Sequence, residues 1–145
     1  SAKYVGRQML KQKNGSIIFT ASVDALIGAA GIDAYTAAKG GVVALTRSLA
    51  AGLSPEGIRI NAIAPGFVKT PHQMEFLDIS EERKKIEAMH VMPIQEASDI
   101  AELAVFLASE KARTMTGGIY PVDSGYSSVK AGMWLKDTLT AGSRD

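Results

Sequence analysis

Residues 15–22 read GSIIFTAS and residues 58–66 read IRINAIAPG. Each is a short apolar run entered from a turn signal, KNG before the first and SPEG before the second. Such runs fit strands buried in a parallel sheet. Between them, residues 34–53 carry a helical pattern, with Asp33 placed to cap its start and LSPEG to stop it. Strand, helix and strand in that order make a parallel βαβ unit with a right-handed crossover.

Working outward, SAKYVGRQMLKQKNG reads as a helix already under way, striped by Ala2, Val5, Met9 and Leu10 and ended by KNG. VDALIGAAG, residues 23–31, reads as a loop. FVKTPHQMEFLDIS, residues 67–80, reads as irregular, with Ser80 the cap of a helix through His90. Ser98 and Asp99 open a further helix, DIAELAVFLASEKA, and GGIYPVD, residues 117–123, is a third strand. The expectation is an α/β domain of about three parallel strands with flanking helices. GSIIF has no charge, proline or bulge to protect an edge, so an absent amino-terminal half is expected to supply its neighbour.

The chain has 145 residues, 46% hydrophobic and 21% charged, enough for a single domain with a core. A net charge of +1 gives no reason to expect a nucleic-acid or acidic-membrane partner. No run is apolar enough to span a bilayer as a helix. Without cysteine, disulfides and thiolate metal sites are excluded. His72 and His90 are too few and too far apart to suggest a metal site. A cytoplasmic protein is the expectation.

Two Tyr-Lys pairs share a spacing of four, Tyr35 with Lys39 and Tyr126 with Lys130. On a helix that spacing puts both side chains on one face. A free phenol, with a pKa of about 10, is a poor base at neutral pH, and a fixed ammonium beside it favours the phenolate. Context separates the pairs. Ser22 stands at the carboxyl end of the first strand, where α/β sheets bind ligands. The helix carrying Tyr35 and Lys39 follows that strand. The second strand brings Pro65, Gly66 and Thr70 to the same edge. Tyr126 and Lys130 have no such surroundings and read as residues of a mixed tail with Trp134 as its anchor.

Taken in order, GSIIFTAS, AYTAAKGG, GIRINAIAPGFVKT, ASDIAELAVFLAS and TGGIYPVDSG resemble the carboxyl-terminal half of a classical short-chain dehydrogenase/reductase. The resemblance covers about residues 1–126. It implies the carboxyl-terminal part of a Rossmann-like, doubly wound parallel sheet. It implies hydride transfer between NAD or NADP and an alcohol or ketone. By the same resemblance Tyr35 is the general acid/base, Lys39 holds the nicotinamide ribose, and Ser22 hydrogen-bonds the substrate oxygen. Pro65, Gly66, Val68 and Thr70 border the nicotinamide, Val68 through its backbone and Thr70 through its hydroxyl. The family's glycine-rich phosphate loop, its NAD-or-NADP selector and a supporting asparagine would all lie upstream of Ser1. Ser124 stands where the family usually has glycine.

Residues 1–145 thus read as one partial domain, with a substrate lid at about 71–93 and a tail at 127–145. Met74, Phe76, Leu77, Met89 and Met92 in the lid suit either an apolar substrate or ordinary core packing. The resemblance and the apolar stripe Val42, Leu45 and Leu49 point to a homo-oligomer, a dimer or tetramer. Two alternatives stay open: a non-catalytic binding fragment, and an isomerase or lyase that uses a Tyr-Lys pair with bound nicotinamide.

Overall fold

The computed structural model describes residues 2–129. Lys130, Trp134 and the rest of the expected tail lie outside the described residues. The elements are α1 (Ala2–Gln12), β1 (Gly15–Thr20), α2 (Asp24–Ile27), α3 (Asp33–Leu53), β2 (Ile58–Pro65), β3 (Val68–Lys69), α4 (Pro71–Leu77), α5 (Ser80–Ala88), β4 (Gln95–Glu96), α6 (Ala97–Ala108) and β5 (Ile119–Val122).

The main sheet has the order β1-β2-β5, and both pairings are parallel. Alternation along a strand sends successive side chains to opposite faces. On one face Ile58, Ile60, Ala62 and Ala64 of β2, with Ile17 and Phe19 of β1, pack under α1 and α3. On the other, Ile18, Ile63, Tyr120 and Val122 pack under α6. Both faces of β2 are therefore covered, as a parallel sheet requires.

Polar residues of β2 extend the same logic. The Arg59 guanidinium donates to the carbonyls of Leu107, Ala108 and Ser109, placing a cation at the carboxyl end of α6. Fully buried Asn61 donates to Met115 O and accepts from Gly118 N, so both ends of its amide are satisfied.

Several local expectations are corrected. The strand read at 15–22 ends at Thr20, and β1 is only partly buried along its length. The loop read at 23–31 contains the short helix α2. Ile32 rather than Asp33 precedes α3, and Asp33 sits in its first turn. The segment read as irregular holds β3 and α4; Thr70 Oγ1 caps α4 by accepting from Gln73 N, and Pro71 fills its first position. Ser80 lies inside α5, which stops at Ala88, short of His90. The cap of α6 is Glu96, paired with Asp99 in a capping box, so the helix begins before Ser98 and ends at Ala108. At α4 and α6 the shifts come from capping side chains, which polar residues offer equally well in loops.

β3 and β4 form a separate two-stranded parallel ladder, tied by Lys69 to Glu96 at 2.6 Å. Beneath it Leu77, Ile86 and Ile94 are buried with Phe67 and Met74 in a small core of their own.

Candidate active site

The carboxyl ends of β1 and β2 and the first turns of α3 meet at a cavity of about 530 Å3. Ser22, two residues beyond β1, is 5% exposed. It is held by Ala21 N donating to Ile63 O and Val23 N donating to Pro65 O, which carry the parallel pairing past the strand end. Tyr35 comes from the first turn of α3 and Lys39 from the next. All three line the cavity, with Asp24, Ile32, Pro65 and Gly66.

Lys39 Nζ donates to Thr20 O at 2.9 Å and lies 5.7 Å from the Tyr35 ring centroid. The last carbonyl of β1 thus fixes the ammonium beside the phenol. Helix and strand are both needed for this, because the spacing of four places the pair and the strand end anchors it. Tyr35 itself is 45% exposed, so the site is open on that side. Farther along α3, a β-carbon on Gly40 or Gly41 would meet nothing within 4 Å.

Gly66 is small for a different reason from the one its position suggests. A β-carbon there would lie 2.9 Å from Asp123 Cβ, so what approaches closely is the end of β5. Val68 lies in β3 opposite Gln95, and Thr70 caps α4. The cavity wall described above includes Pro65 and Gly66 but not Val68 or Thr70.

The far wall is the part that sequence reasoning missed. Tyr126, read as a tail residue, lines the cavity with Phe67, His72 and Gln73. Its ring stacks on buried His90 at 5.1 Å and meets Phe67 edge-on at 6.3 Å. Buried Asp123 sets this turn by accepting from Gly125 N, Ser127 N and the Ser127 hydroxyl. Ser124 adopts a positive φ of 52°, the conformation that glycine adopts freely, and its hydroxyl donates to Pro93 O at 2.6 Å. Val91 N and Met92 N donate back to Ser124 O. The end of the 71–93 segment is thereby fastened to the end of β5. The available signal was VDSG itself, a turn directly after a strand at the ligand-binding edge.

Met74 and Leu77 of that segment pack into its small core, while Phe76, Met89 and Met92 are exposed. Among the described residues no group of histidines and carboxylates could hold a metal, and no helix is long and apolar enough to cross a membrane.

The family model for enoyl-(acyl carrier protein) reductases matches residues 1–127. The chain is 39% identical over 122 residues to 3-oxoacyl-(acyl-carrier-protein) reductase FabG of Chlamydia pneumoniae, covering 82% of this chain and 48% of that protein. It is 37% identical over 128 residues to cyclohexanol dehydrogenase of Acinetobacter sp. (strain SE19), covering 88% and 49%. The solved structure of 4-hydroxyisoleucine dehydrogenase complexed with NADH superposes with a TM-score of 0.86 at 27% identity, over 89% of this chain and 54% of that one. The chain spans about half the length of the curated relatives it matches. With the parallel sheet and the Ser22, Tyr35 and Lys39 arrangement at its carboxyl edge, these matches establish that the chain belongs to the short-chain dehydrogenase/reductase family.

Proposed function

We propose that the protein carrying this chain is an NAD- or NADP-dependent oxidoreductase acting on an alcohol/ketone pair. The observation that carries this reading is the convergence of Ser22, Tyr35 and Lys39 on one cavity at the strand carboxyl ends. The family membership supports it, as does the NADH in the related 4-hydroxyisoleucine dehydrogenase structure.

When bound, the nicotinamide cofactor supplies or accepts the hydride. In reduction Tyr35 gives its proton to the carbonyl oxygen, and in oxidation it takes the proton from the alcohol. Lys39, anchored on Thr20 O, steadies the phenolate as it forms and holds the nicotinamide ribose. Ser22 donates a hydrogen bond to the same substrate oxygen as negative charge develops. Pro65 and Gly66 border the nicotinamide from the cavity wall, with Val68 and Thr70 on the segment behind. Residues 71–93 and Tyr126 form the substrate side. The residues present suit the nicotinamide and ribose end of the cofactor. No G-x-G-x-x-G segment is present in the chain for the phosphates.

Two consequences belong to the same reading. The 145 residues alone bind NADH and NADPH weakly, and a further half, in cis or as a separate chain, pairs with β1 and restores binding. Of the expected stripe, Val42 and Leu49 pack against the sheet and only Leu45 is exposed, so the face of α3 that joins a second copy in a homo-oligomer is the outer one, with Ala37, Ala38, Gly41 and Leu45. Calorimetric titration of both cofactors into the isolated chain, and then with an added amino-terminal half, tests the first. Micromolar affinity from the isolated chain as a stable monomer would sink it. Sedimentation of the full-length protein tests the second, and a monomer at micromolar concentration would count against it. Cell fractionation checks the expected cytoplasmic location.

A further inference from the structure

Ser22 and Asp24 form a reciprocal pair. Ser22 Oγ donates to Asp24 Oδ2 at 3.1 Å, and Asp24 N donates back to Ser22 Oγ at 3.2 Å. An ionised carboxylate only accepts, so the single hydroxyl proton of Ser22 lies on the Asp24 side. Both residues line the cavity that holds Tyr35. Ser22 is buried and Asp24 half-buried, so neither is freely exposed to water.

The inference rests on the role of Ser22 as donor to the substrate oxygen. That role needs the Ser22 hydroxyl proton that is now directed at Asp24. When the hydroxyl turns to a substrate, Oδ2 loses its partner at the wall of the cavity. A half-buried carboxylate oxygen left without that partner loses the stabilisation the hydrogen bond gave it. A substrate that brings its own donor to Oδ2 removes that cost. The donor it replaces is a neutral hydroxyl, and the donating Ser22 Oγ and the accepting Asp24 Oδ2 are only 3.1 Å apart. Oxygens on neighbouring carbons of one substrate span such a distance.

We propose that Asp24 is a specificity-determining residue that selects substrates with a hydroxyl on the carbon beside the reacting one, the α-hydroxyketones and vicinal diols. In the substrate complex Ser22 donates to the reacting oxygen, and the neighbouring hydroxyl donates to Asp24. A plain ketone takes the proton of Ser22 and leaves Asp24 without a donor. A site that hydrogen-bonds a substrate hydroxyl rejects the analogue lacking it more sharply than a site that loses a methylene.

The test uses the full-length protein that carries this chain. Acetoin is compared with butanone in reduction, and propylene glycol with isopropanol in oxidation, with both cofactors. The unaltered enzyme is expected to favour the hydroxylated member of each pair by roughly tenfold or more in kcat/KM, the worth of one hydrogen bond to a charged group. Asp24→Ala is expected to bring that ratio towards parity, chiefly through lower kcat/KM for acetoin and the glycol. Asp24→Asn keeps the shape and an accepting oxygen without the charge, and is expected to fall between. NADH affinity and thermal unfolding show whether each variant is folded. Turnover that requires Tyr35 but ignores the neighbouring hydroxyl, or a ratio that Asp24→Ala and Asp24→Asn both leave in place, overturns this inference alone. No turnover of any member of the two pairs, or turnover that survives Tyr35→Phe, overturns the oxidoreductase reading and this inference with it.

Discussion

Ile58, Ile60 and Ala62 lie at 0% exposure in the central strand of the main sheet, pressed by α1 and α3, which lie well apart in the chain. The buried residues of segment 71–94, Leu77, Ile86 and Ile94, instead gather on one another and on nearby Phe67 and Met74. One region is a shared core made of distant pieces of chain, and the other is a local core that closes on itself. The hydroxyl of Ser22, the phenol of Tyr35 and the ammonium of Lys39 stand on the first. The second carries the His72 and Gln73 side of the cavity and is tied to the sheet mainly through the turn after β5, by Ser124, Gln95 and the His90–Tyr126 stack. In the proposed mechanism the proton chemistry is thus mounted where position is most strongly determined, and the substrate side is mounted on a piece with a small core of its own.

The largest effect should come from the chemistry mounted on the sheet. Tyr35→Phe in the full-length protein is expected to keep cofactor binding and lower turnover by about 10²–10⁴-fold, the usual worth of a general acid/base group. Lys39→Ala should weaken cofactor binding as well as turnover, because it serves both. Titration and steady-state kinetics separate the two, and a Tyr35→Phe enzyme with near-normal kcat would remove Tyr35 from the mechanism.

Next comes the shared core. Ile60→Ala should destabilise the whole domain by about 2–5 kcal/mol, since the methylenes it removes are fully enclosed. Denaturant unfolding followed by sheet and helix signals together should show one shifted transition. Leu77→Ala deletes a side chain of similar size but from the local core. It is expected to lower protection of amides in α4 and α5 in hydrogen exchange while β2 keeps its own. Equal loss of protection in β2 would show that the two cores unfold as one and would break the contrast.

The smallest effect is expected at Tyr126. Its contacts are made by the ring, against His90 and Phe67, so Tyr126→Phe should change kcat and KM little. Tyr126→Ala should raise KM more than it lowers kcat, because it removes a wall and not a proton donor. If Tyr126→Phe proves more damaging than Tyr35→Phe, the catalytic tyrosine is the wrong one of the two.

The sequence by itself determined the α/β class, the parallel order and the Ser22, Tyr35 and Lys39 constellation. The reason is that these depend on short-range pattern. Apolar runs such as SIIF and INAIA, each entered from a turn signal, read as buried strands, a spacing of four puts Tyr35 and Lys39 on one helix face, and strand carboxyl ends are the binding edge of any such sheet. Tertiary structure alone decided what depends on pieces distant in sequence. The closeness of Gly66 to Asp123, the seat of Lys39 on Thr20 O and the capture of Pro93 by Ser124 each join residues many positions apart. Tyr126 shows the difference most plainly. Its spacing to Lys130 matches that of Tyr35 to Lys39, yet buried Asp123 turns the chain so that the ring meets His90 and becomes part of the cavity wall. A turn held by a buried carboxylate leaves no periodic trace in the sequence, so only the folded chain could place that ring.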